Sequence, residues 1–409
     1  MNSQYDLLLQ GGHVIDPANN VDSIMDVAIV DGHIAAVGQN LPAENAKTVM
    51  DAKGCVVTPG IIDMHTHLYP MLPKGPHSLS AIDCDVHLLR SGVTTTVDAG
   101  TTGWRDFLFF KEHIIDTSTV RVLAFLNIAS GGMIDMRTEQ NPKEMQPQVV
   151  AAVAKAYPDV IVGIKCAHYW GGGKPFDEVH YPWASVDRAV EAGVLAGLPA
   201  MIDFQPNRPQ SPYAEMILEH LRPGDIHTHV FAQQFPTVDE NGKVYDHMWK
   251  ARENGVLFDV GHGGASFWFR NAKRALDDGF APDTISTDIH FSSLLYAGLD
   301  NLQMMSKYLN MGMSLQDVVA RVTSAPAKAI NRSDLGTLSV GATADVAVLR
   351  VLHGEFNYVD CGKAIIRGDR KLECQTTICG GKVAYNAGGL GLPEWQNAPE
   401  AYWTCPYMG

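Results

Sequence analysis

Apolar and polar positions alternate in two distinct ways along the chain. From Tyr5 to Val57, runs such as YDLLLQGGHVID and DVAIVDGHIAAVG carry a strand-like texture, and Asp31-Gly32 between two apolar runs predicts a hairpin turn. The same texture returns after Gly341, in ADVAVLRV and GKAIIRGDRKLECQTTICGGKVAYN. The two chain ends are therefore expected to pair into one small β-domain, with the middle inserted between them.

That middle, Thr58 to about Asn331, alternates apolar runs with amphipathic stretches, the pattern of parallel βα units. Eight strands are predicted: GIIDMH ending at His65, TTTVDAG around Val97, VRVLAFL to Leu126, VIVGIK ending at Lys165, PAMID ending at Asp203, DIHTH ending at His229, VLFDVG around Val260 and DTISTD ending at Asp288. Helices are predicted between them, among others over Asp85–Ser91, Pro142–Tyr157, Val186–Ala196, Tyr213–His220 and Phe269–Asp278. Eight repeats close a (β/α)8 TIM barrel, an α/β fold whose active sites lie at the C-terminal strand ends. The expected organisation is a barrel over 58–335, a β-domain from 1–57 and 336–386, and a C-terminal extension over 387–409.

Composition narrows the function classes. With 409 residues, 46% of them hydrophobic and 19% charged, the chain can fill a large core and shows no sign of disorder. A net charge of −14 repels phosphate backbones and anionic membranes, so neither nucleic acid nor a membrane is an expected partner. The N-terminal segment lacks the basic and apolar regions of a signal peptide, and no apolar run approaches the roughly 20 residues of a membrane span. Seven cysteines without a C-x-x-C pair suit reduced thiols, so a cytoplasmic protein is expected.

The chemistry gathers at the strand ends. His65 and His67 lie two apart, on one face of a strand, where two imidazoles supply half a shell for a divalent ion. Lys165 ends an apolar strand, and a buried ammonium must be paired or neutralised. Either a barrel carboxylate pairs it, or the amine takes up CO₂ to form an anionic carbamate able to bridge two ions. Asp288 can both touch an ion and take a proton from an activated water, as general base and then acid. His229 lies at the level of these residues, with His227 expected on the same face and deeper in the barrel. His262, among glycines in DVGHGGASFWF, is read as facing the substrate.

Taken as a set, GCVVTPGIIDMHTH, the strand-end Lys165, His229, Asp288 and the closing GTLSVGATADVAVL resemble the amidohydrolase superfamily with its flanking β-sandwich, over nearly the whole chain. Within it, HTHLY, TTVDAGTTG, GIK, FDVGHGGASF and ISTDIH resemble the dihydroorotase-like amidohydrolase/deacetylase group. The resemblance implies a metal-dependent hydrolase cleaving an acetyl ester or N-acetyl group of a small acid, with one or two divalent ions, zinc first, and a carboxylated Lys165. It departs at Asp203, where relatives carry a metal-binding histidine. It departs again after Lys165, where CAHYWGGG replaces a following arginine and His168 is the candidate substitute. Dihydroorotases place an arginine where this chain has Tyr69, which weakens a ring-opening reading. Tyr69, His168, His262 and His290 complete the expected substrate-binding set. The alternatives are a cyclic amidase or dihydroorotase-like hydrolase and, given weight by Asp203, a non-catalytic binding protein on the same barrel. A small-molecule substrate and a homo-oligomer are expected.

Overall fold

A computed structural model describes residues 4–70, 81–169, 178–205, 212–297 and 299–403. Five strands open the chain: β1 (Tyr5–Asp16), β2 (Val21–Val30), β3 (His33–Gly38), β4 (Ala46–Asp51) and β5 (Val56–Pro59). β2 and β3 are antiparallel, and Asp31 and Gly32 between them take φ of 46° and 77°. Two successive left-handed residues match the twist of a two-residue hairpin, which is why Asp-Gly stands there. β1 is flanked by β2 on one side and by β4 and β5 on the other.

Seven further strands follow: β6 (Ile61–Thr66), β7 (Val93–Ala99), β8 (Arg121–Asn127), β9 (Ile161–His168), β10 (Ala200–Phe204), β11 (Ile226–His227) and β12 (Leu257–Phe258). Each pairs in parallel with the next, in chain order. The eighth expected strand, DTISTD, is not a regular strand. It meets the sheet through single parallel bridges, Asp259–Thr284 at one edge and Thr66–Ile289 at the other, so the sheet curls until both edges reach one segment. Asp288, at φ 50°, interrupts the extended backbone there.

The chain closes with β13 (Val346–Val359), β14 (Ile365–Cys379) and β15 (Lys382–Tyr385). β13 pairs antiparallel with β5, so both chain ends do form one sheet, ordered β15-β14-β13-β5-β1-β2-β3. Leu7, Leu9, Val14, Val27, Ile29, Val57, Val346 and Val348 form its core. Only Gly60 separates β5 from β6. A Cβ there would lie 2.0 Å from Thr94 Oγ1, so nothing larger than glycine fits. Gly60 N donates to the Asp345 carbonyl, and the Asp345 carboxylate accepts from Arg121 Nη1 at 2.5 Å, fastening the terminal sheet to the curled one.

The expected helices are present with shifted ends. Cys84–Leu88 is α-helical and continues as a tight turn to Ser91. The stretch from Pro142 begins as a 3-10 turn and becomes an α-helix over Pro147–Ala156, where proline opens the first turn. Ala184–Ala196 and Phe269–Asp277 match, and Tyr213–Glu215 continues as a π-helical turn to His220. Among the described residues no helix is long and apolar enough to cross a membrane.

Candidate metal centre

The H-x-H at the end of β6 brings both imidazoles to one carboxylate. His65 Nε2 and His67 Nε2 lie 3.5 and 3.0 Å from one oxygen, Oδ1 of Asp288. Ligand atoms of His65, His229 and Asp288 all fall within 4.8 Å of one another, and all three side chains are buried. Lys165 is 1% exposed and brings Nζ to 3.5 Å from His65 Nε2. Gly100 makes room for it: a Cβ at that position would lie 2.5 Å from Lys165 Cβ. β9 runs on past Lys165 to His168 because its last residues remain paired with β10 as far as Phe204.

What fixes the imidazoles is a second ring of acceptors that sequence reading did not single out. Thr228 donates its hydroxyl to Asp259 Oδ2 at 2.8 Å, so the hydroxyl oxygen accepts from His65 Nδ1 at 2.9 Å. Thr101 stands in the same relation to His67 Nδ1, at 2.8 Å, with its hydroxyl bonded to Asp98. His229 Nδ1 is 2.6 Å from the Gly261 carbonyl, which can only accept. All three rings are thereby held with the proton on Nδ1 and present Nε2 to the cluster, as metal-binding histidines do.

The electrostatics fit a cation. Burial, reinforced by the Lys165 charge, holds His65 far below the usual histidine range. For Asp288, burial works to raise the carboxyl, and the hydrogen bond and charge of His67 outweigh it, leaving it ionised. Asp203 shows the same contest, won by His229, whose Nε2 lies 3.4 Å from Asp203 Oδ2. Burial opposes a charge on His229 while Asp203 favours it, and the net shift is upward. A proton thus stands between those two groups where a divalent ion could replace it. Tyr169 also donates its phenol to Asp203 Oδ2, while Asp203 Oδ1 finds no hydrogen-bond partner among the described residues. A buried carboxylate oxygen with a free lone pair, beside three convergent Nε2 atoms, is a donor set suited to a divalent ion.

Two site residues, His229 at φ 63° and Asp288 at φ 50°, occupy left-handed backbone that costs about 1 kcal/mol or more outside glycine. This overturns one expectation. β11 ends at His227, so the period of two does not carry through Thr228 to His229, and the two histidines do not share a face. His227 packs among Tyr213, Phe235 and Phe258, where burial pushes it down to about 3.

The expected substrate-facing residues fare differently. His290 lies beside the cluster, its ring 6.2 Å from that of His67 and its Nδ1 without a partner among the described residues. Tyr69 is turned edge-on to Phe109 and Phe110. His168 stacks against Phe204 and Trp183, which also stack on each other, with Nδ1 on the Ser185 hydroxyl and Nε2 without a partner among the described residues. His262 is fully buried and not brought to the cluster: Nδ1 meets the Gly263 carbonyl at 2.8 Å and Nε2 meets Lys307 Nζ at 2.7 Å. Glu139, unnoticed in the sequence, is buried near Lys165, and burial, only partly offset by that lysine, pushes its carboxyl up to about 8. Most of the HYWGGGKPFD loop and Cys405 lie outside the described residues.

Comparison with known proteins gives the family of the chain. The Amidohydrolase family model matches residues 269–384. A deacetylase of Brucella anthropi is 30% identical over 369 residues, 88% of each chain, and a deacetylase of Agrobacterium fabrum is 31% identical over 86% of this chain and 84% of that one. Among solved structures, an adenine deaminase superposes with a TM-score of 0.83 at 27% identity, over 94% of this chain and 100% of the other. With two enzymes aligned along most of their length and a histidine-aspartate cluster at the strand ends, the chain belongs to the amidohydrolase superfamily and is a hydrolytic enzyme.

Proposed function

We propose that this chain hydrolyses an acyl group, in the first place acetyl, from an ester or amide of a small carboxylic acid or amino acid. The observation that carries the reading is the fixed orientation of His65, His67 and His229, each with Nδ1 engaged and Nε2 turned toward the cluster around Asp288 and Asp203. The relatives named deacetylases favour acetyl as the acyl group transferred to water. In this reading the fold is a closed (β/α)8 barrel over 58–335, carrying a β-sandwich from 1–57 and 336–386 and an extension over 387–409.

His65, His67, His229, Asp203, Asp288 and Lys165 would hold one or two divalent ions. Such an ion supplies a nucleophile at neutral pH and polarises the acyl carbonyl. The rest falls to the protein. Asp288, kept ionised by His67, accepts the proton of the attacking water and returns it to the leaving oxygen or nitrogen. Lys165 Nζ adds to CO₂ with loss of a proton, and the resulting carbamate removes the cost of an ammonium in a fully buried position. Zinc is the first candidate for the ion. The Asp203 oxygen, standing where the family resemblance implies an imidazole, would move preference at a second position toward manganese or magnesium.

A panel of N-acetyl amino acids, O-acetyl hydroxy acids, hydantoins and dihydroorotate, offered to protein reconstituted with zinc or manganese, tests this reading. Turnover of acetylated acids is expected. Exclusive turnover of the cyclic amides would replace it with a ring-opening hydrolase.

A further inference from the structure

Lys307 is an unusual residue to bury. It lies in the helix Asn301–Asn310, 0% exposed, with Met304, Met305, Tyr308 and Leu309 buried around it. No carboxylate within salt-bridge distance of it is found among the described residues. Nζ donates to His262 Nε2 at 2.7 Å and lies 5.5 Å from the centre of the Phe267 ring. Burial pulls its ammonium down to about 8, with Cys361, Asp360 and Asp300 only partly opposing. A leucine or methionine would cost the helix less, since an ammonium removed from water loses several kcal/mol of hydration. Its retention calls for a role in what it touches.

That role follows through His262. An ammonium only donates, so His262 must accept at Nε2 and carry its proton on Nδ1, 2.8 Å from the Gly263 carbonyl. The opposite tautomer would set an imidazole lone pair against that carbonyl. The ring is clamped flat on Phe267, centroids 4.6 Å apart at 19°, so it cannot turn away. The backbone it grips is the turn Gly261–Gly263, and this turn touches the cluster twice. Gly261 O receives His229 Nδ1 at 2.6 Å. Gly263, at φ 51°, packs so closely on Asp288 that a Cβ there would stand 2.2 Å from Oδ2, and its N–H donates to the Thr287 carbonyl at 2.8 Å.

We propose that Lys307 is a positioning residue of the hydrolytic site: by donating to Nε2 it anchors the His262 ring and, through that ring, holds the Gly261–Gly263 turn against His229 and Asp288. The inference rests on the reading of His229 as a ligand and Asp288 as proton acceptor. The chain of contacts is Lys307 to His262, His262 to the Gly263 carbonyl, and the turn to the two site residues.

The test uses no substrate, so it does not stand or fall with the acyl reading. In the metal-free protein, ¹⁵N-histidine spectra, with the His262 signal assigned by its loss in His262→Gln, should show a neutral ring protonated on Nδ1. In Lys307→Met the Nε2 signal should move to that of a nitrogen with no donor and the Nδ1 signal should shift or broaden as the ring loosens on the Gly263 carbonyl, while thermal stability holds or rises. Titration with Co²⁺ alone should show about tenfold weaker binding in Lys307→Met and an altered visible absorption of the bound ion, the scale seen when partners of ligand histidines are removed. Lys307→Gln, whose amide still donates, should recover most of both and serves if the methionine variant does not fold. Unchanged His262 ring-nitrogen signals in Lys307→Met, or changed signals with Co²⁺ affinity within twofold of the parent, overturn the proposal. If the parent protein takes up no Co²⁺, the metal-dependent reading has failed, and the His262 ring-nitrogen signals alone decide the role of Lys307.

Discussion

Two layers of buried polar groups meet in this molecule, and they are satisfied in opposite ways. In the lower one, Asp63, Asp98 and Asp259 have every carboxylate oxygen engaged. Asp63 accepts from His65 N, Thr287 N and Thr287 Oγ1, and Asp98 accepts from Leu68 N and Thr101 N. Asp259 accepts from Thr228, Ser286 and Thr284, all within 2.8 Å. In the upper one, Asp203 Oδ1 and His290 Nδ1 have no partner among the described residues, and the Nε2 atoms of three histidines converge. A closed network holds groups in place, whereas an open one leaves capacity for a ligand. The lower layer is scaffold and the upper layer is site.

The sharpest way to break that distinction is to remove one carboxylate from each layer. Asp259→Ala strands three buried hydroxyls and should cost about 3 kcal/mol or more in urea unfolding. Asp203→Ala, also buried but engaged at one oxygen only, should cost clearly less in unfolding than Asp259→Ala and instead change the stoichiometry or the zinc-versus-manganese preference of bound metal. Equal stability losses would erase the division between the layers. Next in size, Asp288→Asn should keep near-normal metal content, since an amide oxygen can still ligate, yet lower kcat by at least ~10²-fold because it cannot take a proton. Near-parental turnover would move the proton to another group.

A smaller effect is expected at the seam. Thr228→Val removes the acceptor of His65 Nδ1 without touching the ring, and metal competition should show about 10- to 100-fold weaker binding. The smallest concerns His168, which burial, partly opposed by Asp187 and Asp203, pushes down to about 4 from an ordinary 6.5. Between those two values the unfolded chain binds a proton that the folded chain refuses, so stability falls as pH falls through that window and is unaffected above it. His168→Gln should flatten this acid limb in unfolding measured from pH 7 to pH 4. A limb of unchanged steepness assigns the proton uptake elsewhere.

The upper layer was largely legible in the sequence and the lower one was not, for a physical reason. A histidine, lysine or aspartate at the end of an apolar run stands out against its surroundings, and His65, His67, Lys165, Asp203, His229 and Asp288 all did. Thr101 and Thr228 do not, because a threonine in a strand is ordinary and only the packed fold reveals which carboxylate turns its hydroxyl toward a ring. Lys307 was hidden within LQMMSKYLN, where a lysine among apolar residues on a helix reads as its wet side. His227 and His229 were placed on one face by counting in twos, and the count fails where the backbone turns left-handed at His229. The pairing of the chain ends and the parallel order of the inserted strands followed from periodicity. The irregular eighth segment did not, since two single bridges and a positive φ leave no period to read.

The joint between the two sheets sets a timetable for the ribosome. β5 feeds through Gly60 directly into the strand bearing His65 and His67, yet one of its two neighbours, β13, begins only at Val346. Throughout translation of the intervening chain β5 carries an unpaired edge, the kind of surface on which nascent strands stick to one another. Joining the most distant parts of the chain also makes this sheet slow to complete. A nascent chain arrested before Val346 therefore leaves β5, the strand that leads into His65 and His67, open to chaperones or to aggregation, and only chains that carry β13 can cover it.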